Sequence, residues 1–82
     1  MTDAQIRDKI LSVLYDLWKR HGFDAWMSLH ELSQCLSLDF IAVERNADLL
    51  VGLGLVERKA VIGGAFYRIS AGGVLECERK GL

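Results

Sequence analysis

Proline is absent from this 82-residue chain, and cysteine occurs only twice, at Cys35 and Cys77. Because no linker rich in proline or serine interrupts the sequence, we expect a single domain over residues 1–82. The two cysteines lie far apart and show no CxxC spacing, so neither a zinc site nor a disulfide framework is indicated. Both are expected to be small buried hydrophobic residues.

Long apolar runs are also missing. No stretch approaches the ~20 consecutive apolar residues that a membrane-spanning helix requires. The N-terminus lacks the basic and then apolar segments of a signal peptide, so we expect a cytoplasmic protein. Hydrophobic residues nevertheless make up 51% of the chain, which is enough for a packed core in one small domain.

The chain has no excess of positive charge. Ten Lys and Arg residues stand against eleven Asp and Glu residues, which gives a net charge of −1. DNA-binding domains more often carry a basic excess, because neutralisation of phosphates supplies much of their affinity. Residues 1–56 hold five bases and eight acids, whereas residues 57–82 hold five bases and three acids. Any basic surface must therefore draw mainly on the last third of the chain.

Apolar residues at helical spacing predict four helices. Capping boxes at Thr2–Gln5 and Ser28–Glu31 open the first two helices, Asp39 caps the third and Ser70 caps the last. We expect Leu11, Tyr15 and Trp18 to flank the core. The residues expected to face it are Ile6, Ile10, Val13, Leu14, Leu17, Leu29, Leu32, Cys35, Leu36, Phe40, Val43, Ala47, Leu50, Val74, Leu75 and Cys77.

The stretch from Leu38 to Val56 organises the rest of the chain. It reads as a helix from Phe40 that ends near Gly54 and leads directly into a strand. That strand, residues 55–59, is followed by a turn at residues 60–64 and a returning strand at residues 65–69. Gly63-Gly64 suits the positive backbone dihedrals of such turns. Together with a short strand before Ser28, these elements predict an α+β domain.

This order resembles the winged helix-turn-helix domains of MarR-type and related prokaryotic transcription regulators, with a three-helix core, a β-hairpin wing and a C-terminal helix. The resemblance implies a third helix that enters the major groove of double-stranded DNA and a wing that contacts the DNA backbone or minor groove. It also implies a homodimer through the first and last helices. The residues that carry it are Leu32 to Leu38, Val43, Leu50, Gly54-Leu55-Val56, Tyr67-Arg68-Ile69-Ser70 and Gly73.

Five residues are the candidate DNA contacts: Arg45, Asn46, Arg58, Lys59 and Arg68. In the third helix, Arg45 can read guanine and Asn46 can read adenine. Arg58, Lys59 and Arg68 lie on the flanks of the wing, where they can contact phosphates or serve only as solvated strand-edge charges.

The surface around these bases is mixed in character. Glu44 and Asp48 lie on the exposed face of the third helix together with Ile41, and acids there have the wrong sign for phosphates. The wing tip, which includes Val61 and Ile62, carries no base. Exposed apolar residues suit a protein interface, so a winged-helix protein-interaction module without strong DNA binding is the alternative hypothesis.

An enzyme is the class that the sequence favours least. His30 has no carboxylate or cysteine placed to partner it, and it is expected to be a solvated helix residue. The glycine pairs Gly63-Gly64 and Gly72-Gly73 are too sparse for a phosphate-binding loop. No cofactor or metal is implied.

Overall fold

The structure, a computed structural model, describes all residues from Met1 to Leu82. None of its helices has the length and hydropathy that crossing a membrane requires. The predicted α+β order of three helices, a hairpin and a C-terminal helix is confirmed. The elements are α1 (Asp3–His21), β1 (Met27–Ser28), α2 (Leu29–Leu36), α3 (Phe40–Gly52), β2 (Val56–Val61), β3 (Gly64–Ile69) and α4 (Ala71–Lys80).

The helix starts follow from local side-chain hydrogen bonds. At α1, the amide of Gln5 donates to the Thr2 hydroxyl over 3.2 Å, and the amide of Thr2 donates to the Gln5 side chain over 2.8 Å. Ser28 and Glu31 form the same reciprocal pair at α2. Both predicted capping boxes are confirmed, because each needs only residues three positions apart.

The end of α3 sets the direction of the hairpin. The amide of Leu55 donates to the carbonyl of Leu50, and the amide of Gly54 donates to the carbonyl of Val51, both over 3.0 Å. With a φ of 77° at Gly54, these bonds form a Schellman motif. Gly54 therefore closes the helix as predicted, and β2 begins two residues later.

The three strands form one antiparallel sheet in the order β1-β3-β2. Alternate residues of β3, namely Ala65, Tyr67 and Ile69, are buried against the helices. Phe66 and Arg68 consequently lie on the outer face of the sheet.

The turn of the hairpin is shorter than predicted. Strand pairing continues to Val61 opposite Gly64, so the connection consists of Ile62 and Gly63 alone. Gly63 has a φ of 85°, whereas Gly64 belongs to β3 and does not have a positive φ. Gly63 is the only residue of the connection with a positive φ, and the remaining residues assigned to the turn extend the ladder.

The buried face of α1 differs from the predicted one. Leu11 is buried, whereas Val13 and Leu17 are only half-buried. The cause is α4, which packs on α1 and brings the Cys77 thiol within 3.7 Å of the Leu11 carbonyl oxygen. Cys77 is thus buried as predicted, and burial raises the pKa of its thiol.

Three further residues assigned to the core are exposed: Cys35, Phe40 and Leu75. For Phe40 the reason lies in the composition of the buried stripe, which holds a polar residue, Asn46, beside Val43 and Ala47. An apolar pattern cannot reveal such a position, so the predicted stripe was centred too close to Phe40. The expectation that both cysteines are buried was wrong for Cys35.

Candidate nucleic-acid interface

The α2-turn-α3 unit places one face of α3 at the surface. Ser37 has a left-handed conformation with a φ of 54°, and the amide of Leu38 donates to the Ser33 carbonyl over 3.2 Å. Leu38 packs partly against the core, and Asp39 accepts from the amide of Ala42. The turn is therefore held at both ends, and α3 starts from a defined direction.

The exposed face of α3 carries more negative than positive charge. Ile41, Arg45 and Asp48 are exposed at helical spacing, and Glu44 is half-buried beside them. Ile41 is 68% exposed, and Leu49 on the same face is 47% exposed. The face therefore offers a DNA groove one basic residue, two acidic residues and two apolar side chains.

Arg45 is engaged by an acid from another helix. Its Nη2 lies 2.9 Å from Oδ1 of Asp3, in the first turn of α1, and the two side chains are 61% and 53% exposed. The pKa of Asp3 is held below its ordinary value, first by the hydrogen bond from Asn46 and then by Arg45. An ion pair this exposed contributes little to stability, so it leaves Arg45 able to contact a further group.

Asn46 lies inside the domain, which does not fit its assignment as a base-reading contact. Its Nδ2 donates to the Ala42 carbonyl over 2.9 Å and to Asp3 Oδ1 over 3.1 Å. Its Oδ1 accepts from Nη1 of Arg7 over 3.0 Å. A buried amide needs such partners, and contact with a base would require Asn46 to give them up.

A second network joins the wing to α3. The Tyr67 hydroxyl donates to Oδ1 of Asp48 over 2.7 Å and accepts from Nε of Arg58 over 3.3 Å. Arg58 Nε also lies 3.5 Å from the same carboxylate oxygen. Burial, followed by the bond to Asp48, raises the pKa of Tyr67 to about 12. Arg58 and Asp48 are thereby paired across the junction of hairpin and helix.

The other two wing cations lie on the outer face of the sheet. Arg68 donates to Glu57 over 2.7 Å and to the Phe23 carbonyl over 2.8 Å. Trp26 lies under both cations, with its ring centroid 4.4 Å from the Arg68 guanidinium and 4.6 Å from the Lys59 ammonium. These contacts order the two cations and leave the Lys59 ammonium free of an acidic partner within salt-bridge distance.

Sequence reasoning missed three residues that organise this surface: Asp3, Trp26 and Tyr67. Only Trp26 could have been found from the sequence, because it directly precedes the predicted first strand. That strand pairs with β3, and one further step beyond the pair Met27–Tyr67 places Trp26 beside Arg68. The contacts of Asp3 with α3 and of Tyr67 with Asp48 join residues 19 to 43 positions apart. No local pattern encodes such pairs.

The wing tip forms an apolar surface. Val61 is exposed and Ile62 is fully exposed, as predicted for the hairpin. With Phe40, they line a groove of about 280 Å³ between the wing and the starts of α2 and α3. This groove contains no lysine or arginine.

These features together define a winged helix-turn-helix domain of the type found in MarR- and HlyU-like regulators. A protein from Ralstonia eutropha, provisionally described as DNA-binding, has a TM-score of 0.83 and 17% identity over 93% of this chain and 94% of its own. Reduced MarR from Escherichia coli has a TM-score of 0.71 and 28% identity over 90% of this chain. Reduced HlyU from Vibrio cholerae has a TM-score of 0.64 and 26% identity over 87% of this chain and 70% of its own.

One further MarR structure contains DNA. It is a cysteine-to-serine mutant of the Escherichia coli protein complexed with operator DNA, with a TM-score of 0.60 and 26% identity over 94% of this chain and 61% of that one. The present chain spans about half, 52%, of the reduced MarR chain. None of these neighbours carries the name of an enzyme. No family model matches the sequence, and no curated protein matches it significantly.

Proposed function

We propose that this chain binds double-stranded DNA as a winged-helix transcription regulator, with α3 in the major groove. The observation that carries the proposal is the likeness to MarR in its operator complex, which extends over 94% of this chain. Because the MarR chain is longer, the proposal concerns the DNA-binding unit and leaves any further activity of MarR aside.

Arg45 is the proposed base contact. It is the only lysine or arginine in α3, and its partner Asp3 holds it through an exposed ion pair. A bidentate contact between arginine and guanine discriminates against other bases by ~1–3 kcal/mol. The guanidinium keeps donors beyond the one bonded to Asp3, so Arg45 can bind guanine without giving up that pair.

The proposed phosphate contacts are Lys59, Arg68 and Arg58 on the wing. Lys59 is the best placed of them, because it has no acidic partner, whereas Glu57 and Asp48 neutralise the other two. Binding that depends on so few unpaired cations should be weak on random DNA and only moderately sensitive to salt.

The test is fluorescence anisotropy at low salt on mixed-sequence duplex DNA and on a duplex that the wild type enriches from a randomised pool, with wild type, Arg45→Ala and Arg20→Ala compared. We expect Arg45→Ala to weaken binding to the enriched duplex about tenfold, as loss of one base contact does. Arg20→Ala removes the same charge from a similarly exposed pair with Asp16 at the far end of α1 and should change affinity less than twofold.

Two results would contradict the proposal. One is an absence of binding at tens of micromolar folded wild-type protein. The other is an equal loss of affinity in both arginine variants, which would indicate a general effect of charge rather than a contact made by α3.

We also propose a homodimer formed through α1 and α4. Leu75 on α4 is 66% exposed, and Tyr15 and Trp18 on α1 are only partly buried and stack with centroids 5.7 Å apart. Such apolar surface suits an interface between copies.

Sedimentation equilibrium should show a dimer at micromolar concentration, and Leu75→Glu should shift it to monomer. A wild-type monomer at 100 µM, taken as ~100 times a micromolar Kd, would contradict this part.

A second candidate function is a protein-interaction module built on the same scaffold. The observation that favours it is the groove beside the wing, where Phe40, Val61 and Ile62 are exposed. The anisotropy experiment separates the two candidates. Binding to DNA supports the first candidate, whereas a folded domain that does not bind DNA supports the second, with the apolar wing as its binding surface.

A further inference from the structure

Asp3 joins the start of α1 to the helix proposed to read DNA. A single carboxylate oxygen, Oδ1, accepts from Nη2 of Arg45 over 2.9 Å and from Nδ2 of Asn46 over 3.1 Å. Arg45 is the only Lys or Arg in α3, so Asp3 controls the one cation on that face.

We propose that Asp3 is a specificity-determining residue, which opposes binding of Arg45 to DNA phosphates and leaves Arg45 able to bind guanine. This inference rests on the DNA binding proposed above. It adds a role for a residue outside both the helix-turn-helix and the wing.

The Arg45 guanidinium has donors that Asp3 does not use. Arginine has five N–H groups, and the bond to Asp3 uses one of those on Nη2, so four remain. Guanine accepts two hydrogen bonds at O6 and N7 and carries no net charge, so it can bind while Asp3 stays in place. A phosphate brings a negative charge close to the Asp3 carboxylate and is repelled by it.

The bond from Asn46 keeps the Asp3 carboxylate beside Arg45. Asn46 is buried and is itself fixed by the Ala42 carbonyl and by Arg7. The Asp3 carboxylate is ionised at neutral pH, and the bonds from Asn46 and Arg45 lower its pKa further. A negative charge is therefore present where DNA would approach Arg45.

The decisive comparison is Asp3→Asn against Asp16→Asn. Asparagine keeps an oxygen for the Asn46 amide and removes the charge. Asp16 pairs with Arg20 over 3.0 Å on the same helix and is similarly exposed. It lies about 20 Å from Asp3 along the helix, at 1.5 Å per residue. That distance is about two Debye lengths at 0.1 M salt, so the charge of Asp16 should have almost no effect on DNA bound at α3.

We expect Asp3→Asn to bind mixed-sequence duplex about five- to tenfold more tightly at 0.1 M salt, because one further phosphate contact becomes available. The slope of log affinity against log salt should steepen by about 0.9. Asp16→Asn should change affinity less than twofold. Circular dichroism checks folding, and Asp3→Ser supplies a second uncharged variant with the same expectation.

Two further measurements test specificity and mechanism. The Asp3→Asn substitution should raise affinity less for a duplex that the wild type enriches from a randomised pool than for mixed-sequence duplex. The affinity for the enriched duplex divided by that for mixed DNA should therefore be lower in Asp3→Asn than in the wild type. In an Arg45→Ala background, the gain caused by Asp3→Asn should disappear.

An equal increase in DNA affinity in Asp3→Asn and Asp16→Asn would overturn the inference. An increase that persists in the Arg45→Ala background would do the same. If the wild type binds DNA and Asp3→Asn binds it with the same affinity, this inference falls and the proposed function stands. A failure of every folded variant to bind DNA would overturn the proposed function together with it.

Discussion

Replacing Gly73 with alanine is expected to destabilise the domain by about 3 kcal/mol or more. A Cβ at this position would lie 2.0 Å from the Leu55 carbonyl oxygen and 2.6 Å from Cγ1 of Ile69. The Ile69 side chain can rotate, but the carbonyl belongs to the backbone and already accepts the amide of Ser70. The first turn of α4 would have to move away from the exit of α3. Urea denaturation followed by circular dichroism measures the loss.

Gly52→Ala is the matched control, since both glycines lie in helices and a Cβ at Gly52 would meet nothing within 4 Å. Alanine there should stabilise the domain by up to about 1 kcal/mol through helix propensity. The same substitution is thus expected to have opposite signs at the two sites. Equal stability of the two variants would show that α4 does not depend on close contact at Gly73.

The wild type should be more stable than Tyr67→Phe at neutral pH and less stable than Tyr67→Phe at alkaline pH. At pH 7 the Tyr67 hydroxyl, bonded to Asp48 and Arg58, should make the wild type more stable by about 1 kcal/mol. The pKa of Tyr67 is about 12 in the fold, against 10.0 for a free tyrosine. The unfolded chain therefore loses this proton first as pH rises, and ionisation favours unfolding.

The contribution of the neutral phenol is complete below pH 10 and is lost progressively between pH 10 and 12. The wild type should lose about 2–3 kcal/mol relative to Tyr67→Phe over that interval, and the order should reverse near pH 11, at about 1.4 kcal/mol per pKa unit. Urea denaturation of both proteins across the pH range measures this difference. A constant difference from pH 7 to 12 would show that Tyr67 has the same pKa in both states.

The fold could be predicted because its signals are local. The capping pairs at Thr2 and Ser28 lie three residues from their partners, and the exit of α3 is determined between Leu50 and Leu55. Periodicity also located most of the core. It misplaced Phe40, because a polar residue occupies one buried position of α3 and apolar spacing does not register it.

The candidate interface was much less predictable. Composition identified the cations of the wing, but it could not show that Glu57 and Trp26 hold Arg68 or that Tyr67 joins Arg58 to Asp48. The contact of Glu57 with Arg68 depends on the register of the hairpin, and that of Trp26 depends on the pairing of β1 with β3. The contact of Tyr67 with Asp48 depends on how the sheet packs against α3. Arg45, Arg58, Lys59 and Arg68 stay predictions as DNA contacts, whereas Asn46 leaves the proposed set.

The amino-acid sequence by itself determined the order of the helices and strands and the start of each helix, because caps, turns and periodicity act over a few residues. Only the tertiary structure decided which charges are free. The acid that holds Arg45 lies 42 residues away, and the carbonyl that holds Arg68 lies 45 residues away. Electrostatic pairing depends on distance in space, and packing of the core brings these groups together.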